Sequence, residues 1–289
     1  MQQKLKISDL AKKKAEGQKL TQMLVTNHRD AAVADAAGVD IITASDAAGL
    51  MLFGMETTRD MTLTDMILVG RGVARHVKRA VSVVAMPYWT YQVSPERAVD
   101  NAGALIQQTG ADAVSCEVSR FHRPAIQAIV RAGIPVQAHI GLSSQRSAQL
   151  GGVRGLGKTV GEAWEFIADA EEMVEAGCFS IIAELLAEQV TEHIATTMPV
   201  PVISIGSGAA CDGQGGLFED LYGLAGQHVP RHASVYHKLV GSLEDGMNRF
   251  IADIASGKYP TSSHSVAMSP TEARKFKSSI RTYREQAAG

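Results

Sequence analysis

One phrase recurs along this sequence: a helix-like stretch ends at a glycine, and a short apolar strand begins two or three residues later. It occurs after Gly38, Gly110, Gly133 and Gly177. Glycine is favoured just beyond a helix because the chain there often adopts a left-handed conformation. A helix between two strands returns the chain to the edge where the first strand began, so consecutive strands run parallel. The phrase therefore predicts an α/β protein built on a parallel sheet.

The number of strands narrows the architecture further. Helices are predicted at residues 8–19, 30–38, 94–110, 124–133, 162–176 and 188–197. Strands are predicted at residues 22–26, 41–44, 81–87, 113–117, 135–139, 179–184, 201–205 and 220–224. About eight alternating units are typical of a closed (β/α)8 barrel of the TIM type. A doubly wound open sheet is the alternative, but the strand count and the even spacing favour the barrel.

The domain organisation follows from the absence of a clean linker in the sequence. We expect one catalytic barrel domain over residues 1–265 and a charged, helical C-terminal extension over residues 266–289. The extension is expected to pack on a partner subunit or to be solvated.

Composition excludes several classes of function. The chain has 289 residues, 45% of them hydrophobic, and a net charge of -2, so neither nucleic acid nor an anionic membrane is an expected partner. No apolar run reaches transmembrane length, and residues 1–6 lack the apolar core of a signal peptide. Three scattered cysteines (Cys116, Cys178, Cys211) are too few for a disulfide framework. We therefore expect a cytoplasmic protein with reduced thiols.

Polar side chains stand at the ends of several predicted strands. Asp46 follows the second strand, Glu117 ends the fourth, His139 the fifth and Glu184 the sixth, and a Gly206-Ser207-Gly208 turn follows the seventh. In barrels of this type the active site lies at the carboxyl ends of the strands. These groups are therefore predicted to face one mouth, with Asp46 as the central residue.

The chemistry of this set suits an enolate formed from a small oxyacid. Carboxylates, one histidine and a glycine turn that accepts an anion would serve such a reaction, and a hard cation such as Mg²⁺ would be held by oxygens. Each group can also be explained by a structural role without catalysis. A strand-end carboxylate is as often a cap for the next helix, and a single strand histidine is more often a core residue than a catalyst. The occurrence of polar groups at four strand ends together favours a site.

Several motifs carry a family resemblance over residues 21–265. They are Ser45-Asp46-Ala47-Ala48-Gly49, Met86-Pro87-Tyr88, residues 136–142, Gly151-Gly152, Ala183-Glu184, residues 203–208, Cys211-Asp212-Gly213-Gln214, residues 226–230, Tyr259-Pro260 and His264-Ser265. In their order and spacing the chain resembles the ketopantoate hydroxymethyltransferase (3-methyl-2-oxobutanoate hydroxymethyltransferase) family. That family belongs to the phosphoenolpyruvate mutase/isocitrate lyase barrel superfamily.

The resemblance implies a reaction of pantothenate biosynthesis. A one-carbon unit passes from 5,10-methylenetetrahydrofolate to a branched 2-keto acid, which Mg²⁺ chelates. A glutamate removes the proton beside the carbonyl, and the enolate attacks the activated methylene. The resemblance also implies a homo-oligomer, commonly a decamer built from dimers.

Carried over residue by residue, the resemblance makes Asp46 a metal ligand, and Glu117 a carboxylate that supports the metal through water. Glu184 corresponds to the base and His139 to the pocket histidine. The predicted substrate-binding residues are Ser45, Asp46, Ala47, Ser115, Arg59 and Gly206.

Three positions depart from the family pattern. Ala85 stands where the family has its second metal-binding aspartate, Ser115 where it has a lysine, and Ala47 where it has a serine. The loss of one carboxylate and one ammonium leaves the local formal charge unchanged, which indicates a redesigned site. Arg59 or Arg29 is a candidate to bind the substrate carboxylate in compensation, although a solvated loop charge is an equally good interpretation of each.

Three functions remain open at this stage. The first is a hydroxymethyltransferase-like enzyme that forms a C–C bond on a 2-keto acid. The second is a C–C lyase or aldolase that uses the same barrel on another small oxyacid, as the changes at Ala47, Ala85 and Ser115 allow. The third is a non-catalytic binding relative, against which the buried polar residues His139 and Glu184 argue.

Overall fold

The computed structural model describes residues 3–152, 154–225 and 230–287. Its strands run parallel and close into a barrel in the order of the sequence, which confirms the predicted (β/α)8 fold. The strands are β1 Leu20–Val25, β2 Ile41–Ala44, β3 Val81–Ala85, β4 Ala113–Glu117, β5 Val136–Gly141, β6 Ser180–Glu184, β7 Val202–Ile205 and β8 Gly213–Leu217.

Helices precede, connect and follow the strands along the chain, and their ends carry the expected signals. They are α1 Ile7–Ala15, α2 His28–Ala37, α3 Ala48–Leu52, α4 Leu63–His76, α5 Pro95–Thr109, α6 Arg123–Arg131, α7 Ser147–Leu150, α8 Val160–Glu175, α9 Glu188–Thr197, α10 Phe218–Leu221, α11 Leu239–Ala255 and α12 Pro270–Ala287. The Ser94 side chain accepts a hydrogen bond from the Arg97 backbone at the start of α5, and Gly110 ends that helix with a φ of 76°.

The last strand is the one element that was predicted in the wrong place. β8 is Gly213–Leu217, whereas residues 220–224 begin in the short helix α10. The sequence of β8 is Gly-Gln-Gly-Gly-Leu, which lacks the branched and aromatic residues that mark strands. Crowding explains the first glycine, since a Cβ at Gly213 would lie 2.5 Å from the backbone oxygen of Leu20 in the neighbouring strand.

The interior of the barrel is layered along the strand direction. An apolar cluster that includes Leu20, Ile41 and Val81 fills the end where the strands begin. A buried polar layer follows, in which Gln22 Nε2 donates to Gln137 Oε1 at 2.8 Å and to Thr43 Oγ1 at 2.9 Å. Because these buried polar groups are paired, the layer forms a rigid floor. Beyond this floor the barrel opens into its mouth.

Helix α1 covers the opposite end of the barrel. Lys13 Nζ lies 2.6 Å from Asp40 Oδ1, and Lys14 Nζ lies 2.7 Å from Asp212 Oδ2. Lys14 also donates to the backbone oxygens of Ala195 and Val200. These contacts join the start of the chain to the loop before β8.

The chain divides into two compact units, residues 1–237 and residues 238–289. The division falls earlier than the boundary predicted at residue 265. The first unit holds the whole barrel, and the second holds α11 and α12. Within the described residues, no helix has both the length and the apolar character needed to cross a membrane.

Candidate active site

A cavity of about 880 Å³ lies at the carboxyl ends of the strands. Asp46 after β2, Glu117 at the end of β4, His139 in β5 and Glu184 at the end of β6 all line it. The structure thus brings together the four strand-end groups that the sequence singled out. Ser45, Ala47 and Ser115 line the same cavity.

His139 and Glu184 form a hydrogen-bonded pair inside this cavity. His139 Nε2 lies 2.8 Å from Glu184 Oε2. Burial alone would lower the pKa of His139, but the hydrogen bond to Glu184 and the charges of Glu184, Glu117 and Asp46 outweigh it and raise that pKa. The pair therefore favours an imidazolium beside a carboxylate.

The backbone next to this pair requires a glycine. Gly141 pairs with Glu184 in the register of β5 and β6 and has a φ of 92°. A Cβ at this position would lie 2.2 Å from the backbone oxygen of Glu184. The glycine therefore permits the close approach that places Glu184 beside His139.

Asp46 is almost completely buried, at 6% relative exposure. Its Oδ2 accepts a hydrogen bond of 2.9 Å from Gln145 Nε2. Burial, and next the nearby charge of Glu117, raise the pKa of Asp46 to about 7. The site therefore contains a carboxyl group whose ionisation is costly until a cation or a donor compensates it.

Glu117 accepts hydrogen bonds on both of its oxygens from the loop after β5. Ser144 Oγ donates to Oε1 at 2.9 Å, and the Gln145 backbone nitrogen donates to Oε2 at 2.9 Å. Ser143 Oγ also donates to Oε2. Since both oxygens already accept hydrogen bonds from the loop, a direct bond from Glu117 to a metal would compete with them.

Gln145 links the two carboxylates, and its amide orientation is fixed. Nε2 faces two acceptors, Asp46 Oδ2 at 2.9 Å and the Met86 backbone oxygen at 3.1 Å, so this end of the amide must be the donor. The Tyr91 hydroxyl lies 2.9 Å from Gln145 Oε1. The sequence analysis missed both Gln145 and Tyr91. A signal was present, because residues 143–145 form a polar Ser-Ser-Gln run directly after an apolar strand.

The fit of a divalent cation can be judged from these contacts. Mg²⁺ binds through one or two carboxylates and keeps waters or substrate oxygens as its other ligands. Asp46 has one oxygen, Oδ1, beyond its bond to Gln145. In the described part of the chain, no group of three or more His, Cys, Asp or Glu side chains is arranged to hold a metal ion. Asp46 is therefore the side chain that could hold a cation directly, and Glu117 could support it through water.

Two predicted substrate-binding residues lie apart from this set. Arg59 is exposed, its Nε lies 3.4 Å from Thr57 Oγ1, and it is absent from the described cavity lining. Gly206 is also absent from that lining, and a Cβ on it would lie 2.7 Å from His232 Cβ. Arg29 is exposed as well. Residues 226–229, which carried part of the resemblance, lie outside the described residues.

Comparisons with known proteins agree with this architecture. A profile of the family described as ketopantoate hydroxymethyltransferase matches residues 4–262. The 3-methyl-2-oxobutanoate hydroxymethyltransferase of Syntrophobacter fumaroxidans is 36% identical over 258 residues, which cover 89% of this chain and 92% of the relative. The enzyme of the same name from Aeropyrum pernix is 40% identical over 241 residues, which cover 83% and 87%.

The fold has relatives at much lower identity. The crystal structure of 2,3-dimethylmalate lyase, a PEP mutase/isocitrate lyase superfamily member, matches with a TM-score of 0.56 and 14% identity. The match covers 98% of this chain and 97% of the lyase. At this identity the likeness shows a shared fold.

Proposed function

This chain belongs to the ketopantoate hydroxymethyltransferase family, as its motifs indicated, and on that premise we propose that it transfers a hydroxymethyl group to a 2-keto acid. The proposed donor is 5,10-methylenetetrahydrofolate. One observation carries the proposal: the His139–Glu184 pair and Asp46 line a single cavity at the carboxyl ends of the strands. A base and a cation ligand are the two groups that enolate chemistry requires.

Glu184 is proposed as the base. Its carboxylate takes the proton from the carbon beside the keto group, and the electron pair of that C–H bond moves towards the keto oxygen. Water adds to the methylene carbon of the donor and the two C–N bonds break, which releases tetrahydrofolate and leaves formaldehyde in the site. The enolate carbon attacks the formaldehyde carbon, and the resulting alkoxide takes up the proton that Glu184 had removed. His139 stands 2.8 Å from Glu184 and is proposed to orient it and to stabilise its negative charge.

Asp46 is proposed as the residue that holds Mg²⁺, with Glu117 supporting it through water. When bound, this cation would withdraw electrons from the keto carbonyl and so acidify the adjacent C–H bond. The hydroxyl groups of Ser45 and Ser115 line the same cavity and are proposed to bind the substrate carboxylate. Ala47 lines the cavity without a polar group.

Exchange of the substrate proton with solvent tests this function in the simplest way. 3-Methyl-2-oxobutanoate, or a linear 2-keto acid, is incubated with the protein, MgCl₂ and D₂O, and deuterium at C3 is followed by NMR. We expect exchange with the wild type and its loss, by roughly 100-fold or more, in Glu184→Gln. Glu192→Gln, on the exposed face of α9, is the matched control. Absence of exchange with every keto acid tested would reject the proposed function.

A lyase or aldolase acting on another small oxyacid is the second candidate. Ala85 and Ser115, which line the cavity, favour it because they replace a carboxylate and an ammonium of the family pattern. Release of pyruvate or glyoxylate from candidate oxyacids, without a folate requirement, would support this candidate. Detection of any turnover would exclude a purely non-catalytic binding role.

The oligomeric state and the cellular location of the protein are proposed from its resemblance to the family. A homo-oligomer, commonly a decamer in that family, and a cytoplasmic location are both expected. Sedimentation of the full chain measures the first, and fractionation of the source cells measures the second.

A further inference from the structure

A tight turn follows β3 and carries a tryptophan in an unusual conformation. The backbone nitrogen of Thr90 donates to the backbone oxygen of Pro87 at 3.3 Å, which closes the turn. Trp89, its third residue, has a φ of 69°. A positive φ at this one position is typical of a type II turn, where glycine is favoured. The turn therefore holds a bulky side chain in a left-handed conformation that is unfavourable for it.

Burial does not explain why a tryptophan stands at this position. Trp89 is 57% exposed. Its ring centroid lies 5.8 Å from that of the preceding residue, Tyr88, at a tilt of 40°. Backbone strain of this kind concentrates at active sites and ligand clamps, where it is part of the function. The fold alone therefore gives no reason for an exposed indole on a strained backbone.

The surrounding structure holds this turn in place. Thr90 Oγ1 donates to the backbone oxygen of Pro87 at 2.5 Å. Asn101 Nδ2, on α5, donates to the backbone oxygen of Thr90 at 2.6 Å. These contacts fix the backbone next to Trp89. An aromatic ring on such a fixed backbone loses little conformational freedom when a ligand binds to it.

The turn lies at the mouth of the barrel because both of its ends join the active site. Met86, directly before the turn, lines the cavity. Tyr91, directly after it, has its hydroxyl oxygen 2.9 Å from the backbone oxygen of Glu117 and 2.9 Å from Gln145 Oε1. The exposed ring of Trp89 between these two anchors therefore stands at the rim of the cavity.

The proposed one-carbon donor requires contacts at such a rim. Its reactive methylene joins the pterin ring to the nitrogen of a p-aminobenzoyl ring, which carries a charged glutamate tail. When the methylene meets the keto acid inside the cavity, the end with the charged tail extends towards solvent. We propose that Trp89 stacks on the p-aminobenzoyl ring and forms a binding subsite for the donor. This inference rests on the proposed function for the identity of the donor.

Tryptophan fluorescence of the full chain tests the contact directly. The sequence contains two tryptophans, Trp89 and Trp164, so Trp164→Phe leaves the emission of Trp89 alone. We expect tetrahydrofolate, added without keto acid, to quench this emission in a saturable manner. 6-Methyltetrahydropterin, which lacks the p-aminobenzoyl ring, should not quench it. In Trp89→Phe, where Trp164 is the emitter, tetrahydrofolate should cause no saturable quenching.

Steady-state kinetics of three variants separates this role from a structural one. Trp89→Gly removes the ring and relieves the backbone, so Tm should stay the same or rise. The KM for the donor should nevertheless increase roughly tenfold more than the KM for the keto acid. Trp89→Phe retains a ring and should keep most of the affinity for the donor. Trp164→Phe, at a 60% exposed position on α8, is the matched control.

Several results would overturn the inference. These are an unchanged donor KM in Trp89→Gly, equal quenching by tetrahydrofolate and 6-methyltetrahydropterin, or no quenching by either. Dissociation of the oligomer in Trp89→Gly, measured by sedimentation, would also overturn it by making the rim a subunit contact. The proposed function fails by a different measurement, the absence of deuterium exchange, which needs no donor. Selective quenching by tetrahydrofolate without exchange would reject the proposed function and leave the inference standing.

Discussion

Gln145 donates from Nε2 to Asp46 Oδ2 across 2.9 Å. The backbone nitrogen of the same residue donates to Glu117 Oε2. One residue, itself only 3% exposed, thus holds both carboxylates in place. A residue that positions carboxylates in this way determines how precisely the site is organised, even when it does not contact the substrate.

Replacement of Gln145 by leucine should weaken the site while the fold survives. The variant removes the donor to Asp46 and the acceptor for Tyr91. We expect the apparent Kd for Mn²⁺ with the keto acid to rise by roughly 10- to 100-fold, as for other residues that orient metal ligands. Gln107→Leu, on the exposed side of α5, is the control. Wild-type metal affinity in a folded Gln145→Leu protein would contradict the positioning role.

Replacement of Asp46 by asparagine should stabilise the metal-free protein at neutral and alkaline pH. Asp46 has a folded-state pKa of about 7 against an ordinary value of 3.8. Between these values the folded state holds a proton that the unfolded state releases, so stability falls as pH rises through this window. Asparagine removes that loss. In EDTA we expect a Tm higher than wild type by on the order of 5 °C at pH 8, with the gain shrinking towards pH 4.

Two features sharpen this comparison. His139, whose pKa is raised, also loses stabilisation as pH rises, so the difference between variant and wild type is the quantity to follow. Asp100→Asn supplies the control, since its side chain is exposed. A pH-independent difference between Asp46→Asn and wild type would show that ionisation of Asp46 carries no cost in the fold.

Substitution of Gly141 by alanine should be severely destabilising. The added Cβ would meet the Glu184 backbone oxygen at 2.2 Å, and the positive φ is unfavourable for alanine. We expect Tm to fall by on the order of 10 °C, measured by differential scanning fluorimetry. Gly103→Ala is the matched control, because nothing lies within 4 Å of its added Cβ and it sits inside α5. That control should leave Tm unchanged or raise it slightly. Equal effects of the two substitutions would refute the close approach at Gly141.

The three cysteines should be inert towards thiol reagents in the native protein. Cys116, Cys178 and Cys211 are free and buried. Burial raises the pKa of Cys178 to about 12 and also raises the pKa values of Cys116 and Cys211. Because the thiolate is the reactive form, Ellman's reagent at pH 8 should label less than one thiol per chain before denaturation and all three afterwards. Rapid labelling of the native protein would contradict this burial.

Much of the barrel was predictable because its signals are local. β2 and β4 have the predicted bounds, and α9 coincides with the predicted 188–197. In a parallel barrel all strand ends meet at one mouth, so the convergence of Asp46, Glu117, His139 and Glu184 follows from their places along the chain.

The features that were missed depend on contacts between distant segments. Gly213 in β8 is required by crowding from Leu20 of β1 and Ile203 of β7, which no local sequence pattern reveals. The donors to Glu117 come from a loop whose path is set by tertiary packing. Arg59 was predicted to bind the substrate because of its charge. It lies in an exposed loop, however, where strand geometry does not set the direction of the side chain.

Lys14 on α1 and Asp212 before β8 stand 198 positions apart in the sequence, yet they form one ion pair. The contact therefore cannot form on a ribosome until most of the chain has emerged. Loops of this length make closure slow. Since α1 gains its ion pair with Asp212 only when the last strand has arrived, we expect the barrel to reach its full protection from proteolysis late.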